Sequence, residues 1–287
     1  RLVAYHRSMD GYVFNSTLDR EEPQIDTSFF RGTFALGETG PVKALLKLEY
    51  AKFDVVGQPR EGFAARGTYS ASPFFSSVDT TLDWRHQNNG QQSKTSIFNT
   101  TLNLDIEMGA HALTLTSGYL HYKADELLDV DHTALPILNG FNQNEAFDQL
   151  SQEVRITSPN DGPLTYIAGA YFQTSKLSAD DTLPLGSFFQ TLAGPFAGFR
   201  PLADSRSERR FKQTSTLWSG FAQATFAPTD KLRLTAGVRV NRESKSGQRN
   251  LVIVPGASNP FPANVVRAVW GALRVAEHAV SGDFTET

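Results

Sequence analysis

Short turns and long connections follow one another in strict order along this 287-residue chain. The short turns are rich in the Gly, Pro, Asn and Asp residues that favour tight turns. Their sequences are GETGP (37–41), EMGA (107–110), PNDGP (159–163) and APTD (227–230). The connections between them are long, at about 54–93, 124–147 and 177–210. In an up-and-down sheet, this order places every short turn at one end and every long connection at the other.

The segments between these connections have the sequence pattern of long β-strands. Apolar and polar residues alternate in them, and Thr, Val, Leu, Phe and Tyr are frequent. We expect about nine strands, near 1–8, 27–36, 43–53, 94–106, 111–123, 148–158, 164–176, 211–226 and 231–244. Most span roughly ten residues or more, against about five or six in an ordinary strand. Because a tilted strand needs about 9 to 11 residues to cross a bilayer, this length favours a membrane β-barrel.

Most of these segments have one apolar and one polar face, whereas both faces of 164–173 are fairly apolar. Between 44 and 53, Leu46 and Leu48 share one face, and Lys47 and Glu49 share the other. A soluble antiparallel sheet with one wet face would show the same alternation, but it gives no reason for the strand lengths or for the order of the connections. The predicted fold class is therefore all-β, an antiparallel up-and-down transmembrane β-barrel segment whose apolar faces meet lipid. The expected lumen-lining residues are Arg31, Lys47, Glu49, Glu153, Arg155, Gln223, Arg233 and Arg239.

The composition excludes several other classes of protein. The chain has no Cys, which rules out disulfides and thiolate metal sites. Its net charge is -3 and it has no basic stripe, so no nucleic-acid partner is expected. No apolar run approaches the roughly 20 residues of a membrane helix. Neither a metal nor a cofactor is expected, since the histidines lack metal-ligand spacing; they are His6, His86, His111, His121, His132 and His278.

No catalytic constellation stands out, so the chain is not predicted to be an enzyme. Glu153 and Arg155 are two residues apart on one strand face, as are Lys47 and Glu49. Either pair could perform acid–base chemistry, but salt bridges along the wall of a lumen are the commoner role. An enzymatic barrel, such as an outer-membrane lipase or protease, would need a Ser-His or Asp-His arrangement that the sequence does not display.

The stretch 186–210 combines Gly, aromatic residues and a basic end, as GSFFQTLAGPFAGFRPLADSRSERR. It is not a phosphate loop, because no Gly-Lys-Ser/Thr follows. It is either an ordinary loop tip or a ligand-binding surface at the outer mouth, where aromatic rings supply contact area and Arg supplies charge. Its candidate ligand contacts are Phe188, Phe189, Phe199 and Arg200. The basic run suits an anionic ligand, or equally lipopolysaccharide phosphates.

Three segments resemble the barrels of TonB-dependent outer-membrane receptors. SQEVRITSPNDGPLTYIAGAYFQ (151–173) is similar to the family's Gln-Glu-hydrophobic-Arg strand, Ser-Pro turn and following strand with an aromatic and Ala-Gly. WSGFAQATFAPTDKLRLTAGVRVNRESKS (218–246) is a closer match, with Phe-x-Gln-x-Thr, a Thr-Asp turn and LxLTAGxR. RLVAYHRSMDGYVFN (1–15) resembles an Arg-containing strand followed by Asp-Gly-Tyr and Asn. The resemblance runs to about residue 250 as spaced segments.

The resemblance implies a receptor in the outer membrane that takes up a scarce nutrient by TonB-coupled active transport. An iron–siderophore complex is the leading ligand, and some members take cobalamin or saccharides. The implied partners are outer-membrane lipid, the small-molecule ligand and the TonB system, which acts through a plug domain. A passive porin is the alternative, and a soluble β-sandwich binding module is a weaker one.

No plug domain, TonB box or terminal aromatic strand is recognisable in these residues. We therefore expect residues 1–287 to be part of a larger barrel domain, with outer loops at about 54–93, 124–147, 177–210 and 245–287.

The stretch 264–279 departs from the strand pattern. Val265, Val269, Ala272 and Ala276 follow helical spacing. The stretch is either a short helix within a long outer loop or sequence that follows a frame disruption. The SGDFTET that comes next again resembles family sequence, which favours the helix.

Overall fold

The computed structural model describes the whole chain except residues 38, 59, 61–81, 139, 230 and 287. The described residues include one α-helix, α1 (Ala263–Ala272), and two 3₁₀ helices, Ser187–Thr191 and Gly194–Leu202. The strands are β1 (Leu2–Met9), β2 (Val13–Asn15), β3 (Arg20–Glu22), β4 (Gln24–Leu36), β5 (Val42–Val56), β6 (Arg85–His86), β7 (Gln92–Met108), β8 (His111–Leu128), β9 (Phe141–Thr157), β10 (Leu164–Leu185), β11 (Ser205–Thr229), β12 (Leu232–Pro255) and β13 (His278–Glu286).

Ten of the described strands form one large sheet in the order β1-β4-β5-β7-β8-β9-β10-β11-β12-β13. Every neighbouring pair in it is antiparallel, which confirms the predicted all-β, up-and-down architecture. The short turns lie at one end of this sheet, the turn end, and the long connections lie at the other, the loop end. β2, β3 and β6 form a separate small sheet within the connections of the loop end. Over the described residues the large sheet is open, with β1 and β13 as its edges.

The strands reach further toward the loop end than the sequence pattern predicted. β8 and β9 both extend into 124–147, and β10 and β11 leave only 186–204 between them. The predicted loop 245–287 contains the end of β12, then α1, then β13, a tenth long strand. The large sheet has ten strands where about nine were expected, and the connections observed within 124–147, 177–210 and 245–287 are shorter than the expected loops. Toward the loop end both faces of most strands are polar, so apolar and polar residues no longer alternate there although the backbones remain paired. The sequence pattern therefore underestimates the strand lengths.

Antiparallel pairing defines two faces over the whole sheet, because directly opposite residues point the same way. The polar face carries Arg31 and Glu49, which are opposite each other on β4 and β5. The apolar face carries Leu48 and Tyr50, and Tyr50 is opposite Phe98 on β7. On four strands, every residue of the apolar face is apolar over a stretch of nine positions, which contains five residues of that face. These stretches form what is here called the apolar band, at 42–50, 164–172, 218–226 and 232–240.

The apolar band shifts steadily against the strand pairing. Tyr50, at the loop-end limit of the band on β5, lies in a paired row that passes through Ser246 on β12. On β12 the band already ends at Val240, six residues nearer the turn end (246 − 240). Six pairings separate β5 from β12, so the shift is about one residue per strand. With about 3.3 Å per residue and about 4.8 Å between strands, the strands tilt by about 35° from the normal of a level band.

Aromatic rings mark the limits of the apolar band. At its loop-end limit, Phe172 on β10 is opposite Trp218 on β11, and their ring centroids are 4.4 Å apart. Phe98 and Tyr119 form a second pair at this level, with centroids 6.2 Å apart. At the turn end, Phe226 closes the band on β11.

The polar face is covered at the loop end by a small hydrophobic core. The two 3₁₀ helices, α1 and the strand ends beneath them are called here the loop-end cap. Its buried apolar residues are Leu185, Leu202, Leu251, Ile253, Val266 and Trp270. Trp270 on α1 is 2% exposed, and its indole Nε1 donates to Ser205 Oγ at 2.9 Å. Because Leu185, Leu251 and Ile253 belong to the polar face, the long connections fold inward over that face.

The helix predicted within 264–279 is present as α1 (Ala263–Ala272), and one of its sides is buried. Val266 and Trp270 are its buried residues, whereas Val265 is exposed. Both stripes repeat at helical spacing, so the sequence alone does not decide which one meets the core. Among the residues that the structure describes, no helix is long and apolar enough to cross a membrane.

A buried polar cluster joins several long connections. Glu22 is fully buried, and its carboxylate lies 2.7 Å from Arg20 Nη2 and 3.0 Å from His86 Nε2. Asn15 Nδ2 donates to the same carboxylate at 3.2 Å. These partners offset the cost of removing the charge from water. Asp129, in the connection after β8, is 1% exposed, and burial raises the pKa of its carboxyl.

Candidate functional site

All eight residues predicted to line a lumen lie on the polar face. Arg31 is opposite Glu49, and the paired row through Arg155 on β9 runs to Arg239 on β12. The row through Glu49 reaches Gln149 on β9, an even number of residues from Arg155. Residues an even number of positions apart on a strand share a face. The remaining four predicted residues therefore also lie on the polar face. These are Lys47, Glu153, Gln223 and Arg233.

Glu49 is the centre of a charged network that joins three strands. Its carboxylate accepts from Arg31 Nε at 2.6 Å and lies 2.9 Å from Lys47 Nζ. Asn99 Nδ2 on β7 donates to it at 2.9 Å. The Glu49 side chain is only 14% exposed, so solvent screens these interactions less than at an open surface. The network contains two cations for one anion.

The other predicted lumen residues do not join this network. Glu153 and Arg155 are 3.9 Å apart, at the margin of an ion pair. Arg239 Nε donates to Asn241 Oδ1 at 3.0 Å. Arg233 is exposed and forms no ion pair with any other described residue. The polar face is therefore a wall of hydrogen-bonding groups and not one compact site.

Three side chains near the open edge at β1 have the residue types of a hydrolytic triad. His6 Nδ1 is 3.2 Å from Ser28 Oγ, and His6 Nε2 is 3.7 Å from Asp26 Oδ2. The second distance is too long for a hydrogen bond, and more than half of the His6 and Asp26 side chains is exposed. This arrangement does not support acyl-transfer chemistry, which needs a held base and a preorganised oxyanion site. Within the described ranges, no group of three or more His, Asp or Glu is placed to hold a metal ion.

The predicted ligand contacts of the stretch 186–210 lie in the 3₁₀ helices of the loop-end cap. Phe188 and Phe189 contact each other edge to face, with ring centroids 6.0 Å apart. Phe189 also packs against the core of the cap, so the fold holds its ring in place. Phe199 and Arg200 are exposed at the loop end.

A group of charged residues at the loop end of the polar face was not predicted from the sequence. Asp181 and Arg209 form an ion pair across β10 and β11. Arg249 is on the next strand, and Arg274 and His278 follow α1. Asp181 and Arg209 fall in the predicted loop 177–210, and the other three fall in 245–287. The only signal in the sequence was the alternation of these residues with their neighbours. That signal assigns them to one face only if the strands are as long as the structure shows.

A comparison with protein-family models matches residues 38–266 to the family described as TonB dependent receptor-like, beta-barrel. The chain belongs to this family of TonB-dependent receptor barrels. Outer-membrane barrels have strands tilted by about 35–45° and an apolar band flanked by aromatic residues. The apolar band of this receptor barrel, its aromatic limits and the tilt of about 35° agree with that description.

Solved structures show the same fold. The receptor barrel is similar to the ferric yersiniabactin uptake receptor FyuA from Yersinia pestis, with a TM-score of 0.61 and 12% identity over 99% of this chain and 38% of that one. It is similar to the siderophore receptor PiuA from Acinetobacter baumannii, with a TM-score of 0.54 and 12% identity over 99% and 41%. The ferric-catecholate import receptor Fiu from E. coli K12 gives a TM-score of 0.54 and 11% identity over 99% and 46%.

The chain thus spans less than half the length of each of these three receptors. At 11% to 12% identity the likeness shows the fold alone. A search of curated proteins gives no match.

Proposed function

We propose that this chain forms part of the wall of an outer-membrane receptor that takes up an iron–siderophore complex by TonB-coupled active transport. In this arrangement the apolar face meets lipid and the polar face lines the lumen. The turn end lies on the periplasmic side, and the loop end with its cap lies outside the cell.

The observation that carries this proposal is the segregation of the two faces. The apolar band is nine residues long on four strands and stays level at a tilt of about 35°. In a bilayer, the apolar residues of every strand must lie at the same depth, within the hydrocarbon layer. A soluble sheet has no such requirement. The family of the barrel supports the transport role, and the three similar receptors, which are named for ferric yersiniabactin, a siderophore and ferric catecholates, support an iron complex as cargo.

In the lumen, the polar face would hydrogen-bond water and a plug domain. The Glu49 network, with Arg31 and Lys47, would do this on β4 and β5, and Arg239 would do it on β12. None of these residues would perform covalent chemistry. At the outer mouth, Phe199 and Arg200 are exposed and would contact the incoming ligand.

The proposal is tested by uptake of radioactive iron into cells that carry the receptor in their outer membrane. Ferric complexes of several siderophores would be offered to matched strains with and without functional TonB. We expect saturable uptake of at least one complex, and we expect that uptake to disappear without TonB or when the proton gradient is dissipated.

Each alternative has its own outcome in this experiment. Equal, non-saturable uptake in both strains would make the protein a passive porin. A purified chain that stays monomeric and folded in plain buffer without detergent would instead be a soluble β-sandwich. A variant with both Arg200→Gln and Phe199→Ala tests the proposed ligand contacts at the outer mouth. It should raise the ligand concentration needed for half-maximal uptake, and the uptake that remains should still depend on TonB.

A further inference from the structure

A pocket of about 410 Å³ opens at the loop end of the polar face. Its floor is formed by β10, β11 and β12, and its roof by the segment 274–278 that follows α1. The residues that line it are Phe141, Asp181, Leu183, Ser207, Arg209, Arg249, Leu251, Arg274, Val275, Ala276 and His278. It lies next to the hydrophobic core of the loop-end cap, which Leu251 and Val275 also contact.

The lining carries more positive than negative charge. Asp181, which is 4% exposed, is paired with Arg209 across β10 and β11. No other carboxylate lines the pocket, and within the described part of the chain neither Arg249 nor Arg274 forms an ion pair. Two guanidinium groups are therefore left uncompensated at a concave site. Arg presents a planar fork of donors that matches a carboxylate in two hydrogen bonds.

The backbone places Arg274 in an uncommon conformation. Its φ is 63°, in the left-handed region that glycine usually occupies after a helix. Its N–H donates to the carbonyl of Gly271 at 2.9 Å, which holds the chain end of α1 in this turn. A strained position of this kind is retained where the surrounding structure imposes it, often at binding sites.

The roof of the pocket is anchored independently of its arginines. Glu277 Oε1 accepts from the backbone N–H of Ile253 at 2.9 Å and from Arg267 Nε at 3.0 Å. Glu277 is thereby engaged by these two partners, and it is not among the residues that line the pocket. The roof is held in place before a ligand arrives, which lowers the entropy cost of binding.

Apart from Ser207 and His278, the rest of the lining is apolar. Phe141, Leu183, Leu251 and Val275 provide an apolar surface beside the guanidinium groups. A small inorganic anion would use the charge but leave this surface in water. An organic anion with an aromatic or aliphatic part would use both.

We propose that this pocket binds an organic anion, with its carboxylate between Arg249 and Arg274 and its apolar part against Phe141 and Leu251. The inference deepens the proposed function, on which it rests, by assigning the transported complex to the class of anionic ligands with apolar groups. The pocket opens on the polar face above the lumen, so a ligand bound there stands at the entrance of the proposed pathway.

The test uses the purified receptor in detergent and 2-naphthoate as the probe, with binding followed by calorimetry. The neutral isostere 2-naphthamide tests the charge, and inorganic phosphate tests the apolar part. We expect 2-naphthoate to bind at least about tenfold more tightly than either of the other two. Arg249→Gln and Arg274→Gln should each weaken naphthoate binding by about tenfold or more.

The matched control is Arg242→Gln, on the same strand as Arg249 but on the apolar face, and it should leave binding unchanged. Neither pocket arginine forms an ion pair with another described residue, so both variants should keep the unfolding midpoint of the parent. Equal binding of naphthoate and naphthamide, or equal loss in Arg242→Gln, would overturn the proposal. Because binding in detergent needs neither TonB nor a proton gradient, a failed uptake experiment with intact naphthoate binding would overturn only the transport function.

Discussion

Phe172 and Trp218 are directly opposite each other on β10 and β11, with ring centroids 4.4 Å apart. On both strands the next residue of the apolar face toward the loop end is a threonine, Thr174 or Thr216. Trp218 is 57% exposed over the sheet, which is an unfavourable position for an indole in water. At the boundary between lipid tails and headgroups both parts of the indole are accommodated. In the proposed arrangement, the pair therefore marks the loop-end boundary of the bilayer on the sheet.

The position of Trp218 predicts the depth at which lipids quench its fluorescence. In vesicles, lipids brominated near the headgroup should quench it more than lipids brominated near the tail end. Trp218→Phe should remove this difference. The control, Trp84→Phe, lies in a long connection and should preserve it. Stronger quenching from the bilayer centre would contradict the assigned level of the apolar band.

A charge in the middle of the apolar band should destabilise the receptor much more than one on the polar face. Ala222 is at the centre of the band on β11, and Gln223 follows it on the polar face. We expect Ala222→Arg to lower the free energy of unfolding in lipid vesicles by about 2–4 kcal/mol. Gln223→Arg should change it by less than about 0.5 kcal/mol. Similar effects of the two changes would mean that both faces are in water.

Removing the Glu49 carboxylate should leave two cations without a partner. We expect Glu49→Gln to lower the free energy of unfolding by roughly 1–3 kcal/mol, because the group is mostly buried and bonded to Arg31 and Lys47. The control is Glu107→Gln, which breaks the 3.0 Å pair with Lys43 at a side chain that is 59% exposed. That change should cost at most about 0.5 kcal/mol. Denaturant titration in vesicles compares the two, and an equal cost would show that the network adds nothing.

The loop-end cap should loosen when Trp270 is truncated. Because a ring of this size is buried, we expect Trp270→Ala to reduce the free energy that holds α1 against the sheet by about 3–5 kcal/mol. The effect should appear as faster amide exchange in the 3₁₀ helices, while the pairing of β5 with β7 is unchanged. Trp270→Phe, which loses the bond to Ser205, should cost about 1 kcal/mol. Val265→Ala, on the exposed side of α1, should have no measurable effect.

Acid should loosen the roof of the pocket. The backbone N–H of Ile253 holds the pKa of the Glu277 carboxyl below its ordinary 4.5, and Arg267 adds to this. A carboxyl with a lowered folded pKa stabilises the fold above its unfolded pKa, and this contribution is lost as the pH falls through the folded value. Amide exchange in α1, corrected for intrinsic rates, should therefore increase below about pH 4.5. Glu277→Gln should exchange faster than the parent at pH 7 and equally fast in acid.

A control for the acid effect is Glu286→Gln, at the end of β13, which should leave the pH dependence of exchange in α1 unchanged. An unchanged exchange rate in Glu277→Gln at neutral pH would contradict the anchoring role of this carboxylate.

The strands and faces of the membrane-embedded part were predictable from residues close together in the chain. Lys47 and Glu49 alternate with Leu46 and Leu48, and this period of two assigns the face of each residue before any pairing is known. Turn residues such as those of PNDGP then determine which strands are neighbours. The likeness of 218–246 to the receptor family named the function class, and the family match over residues 38–266 agrees with it.

The loop end was not predictable in the same way. Ser205 and Trp270 are 65 residues apart, and nothing near either one indicates that they meet. Asp181 and Arg209 looked like loop residues because the strands around them have two polar faces. The inward fold of α1 and the choice of Val266 and Trp270 as its buried side likewise depend on surfaces from distant strands.

The amino-acid sequence is therefore enough to predict an all-β, up-and-down sheet with one apolar and one polar face. Alternation and turn chemistry act over two to five residues, and a bilayer admits few arrangements of such strands. The length of the strands beyond the apolar band, the cap over the polar face and the arginine-lined pocket belong to the folded molecule. They arise where the bilayer no longer constrains the chain, and there the contacts between distant residues select the structure.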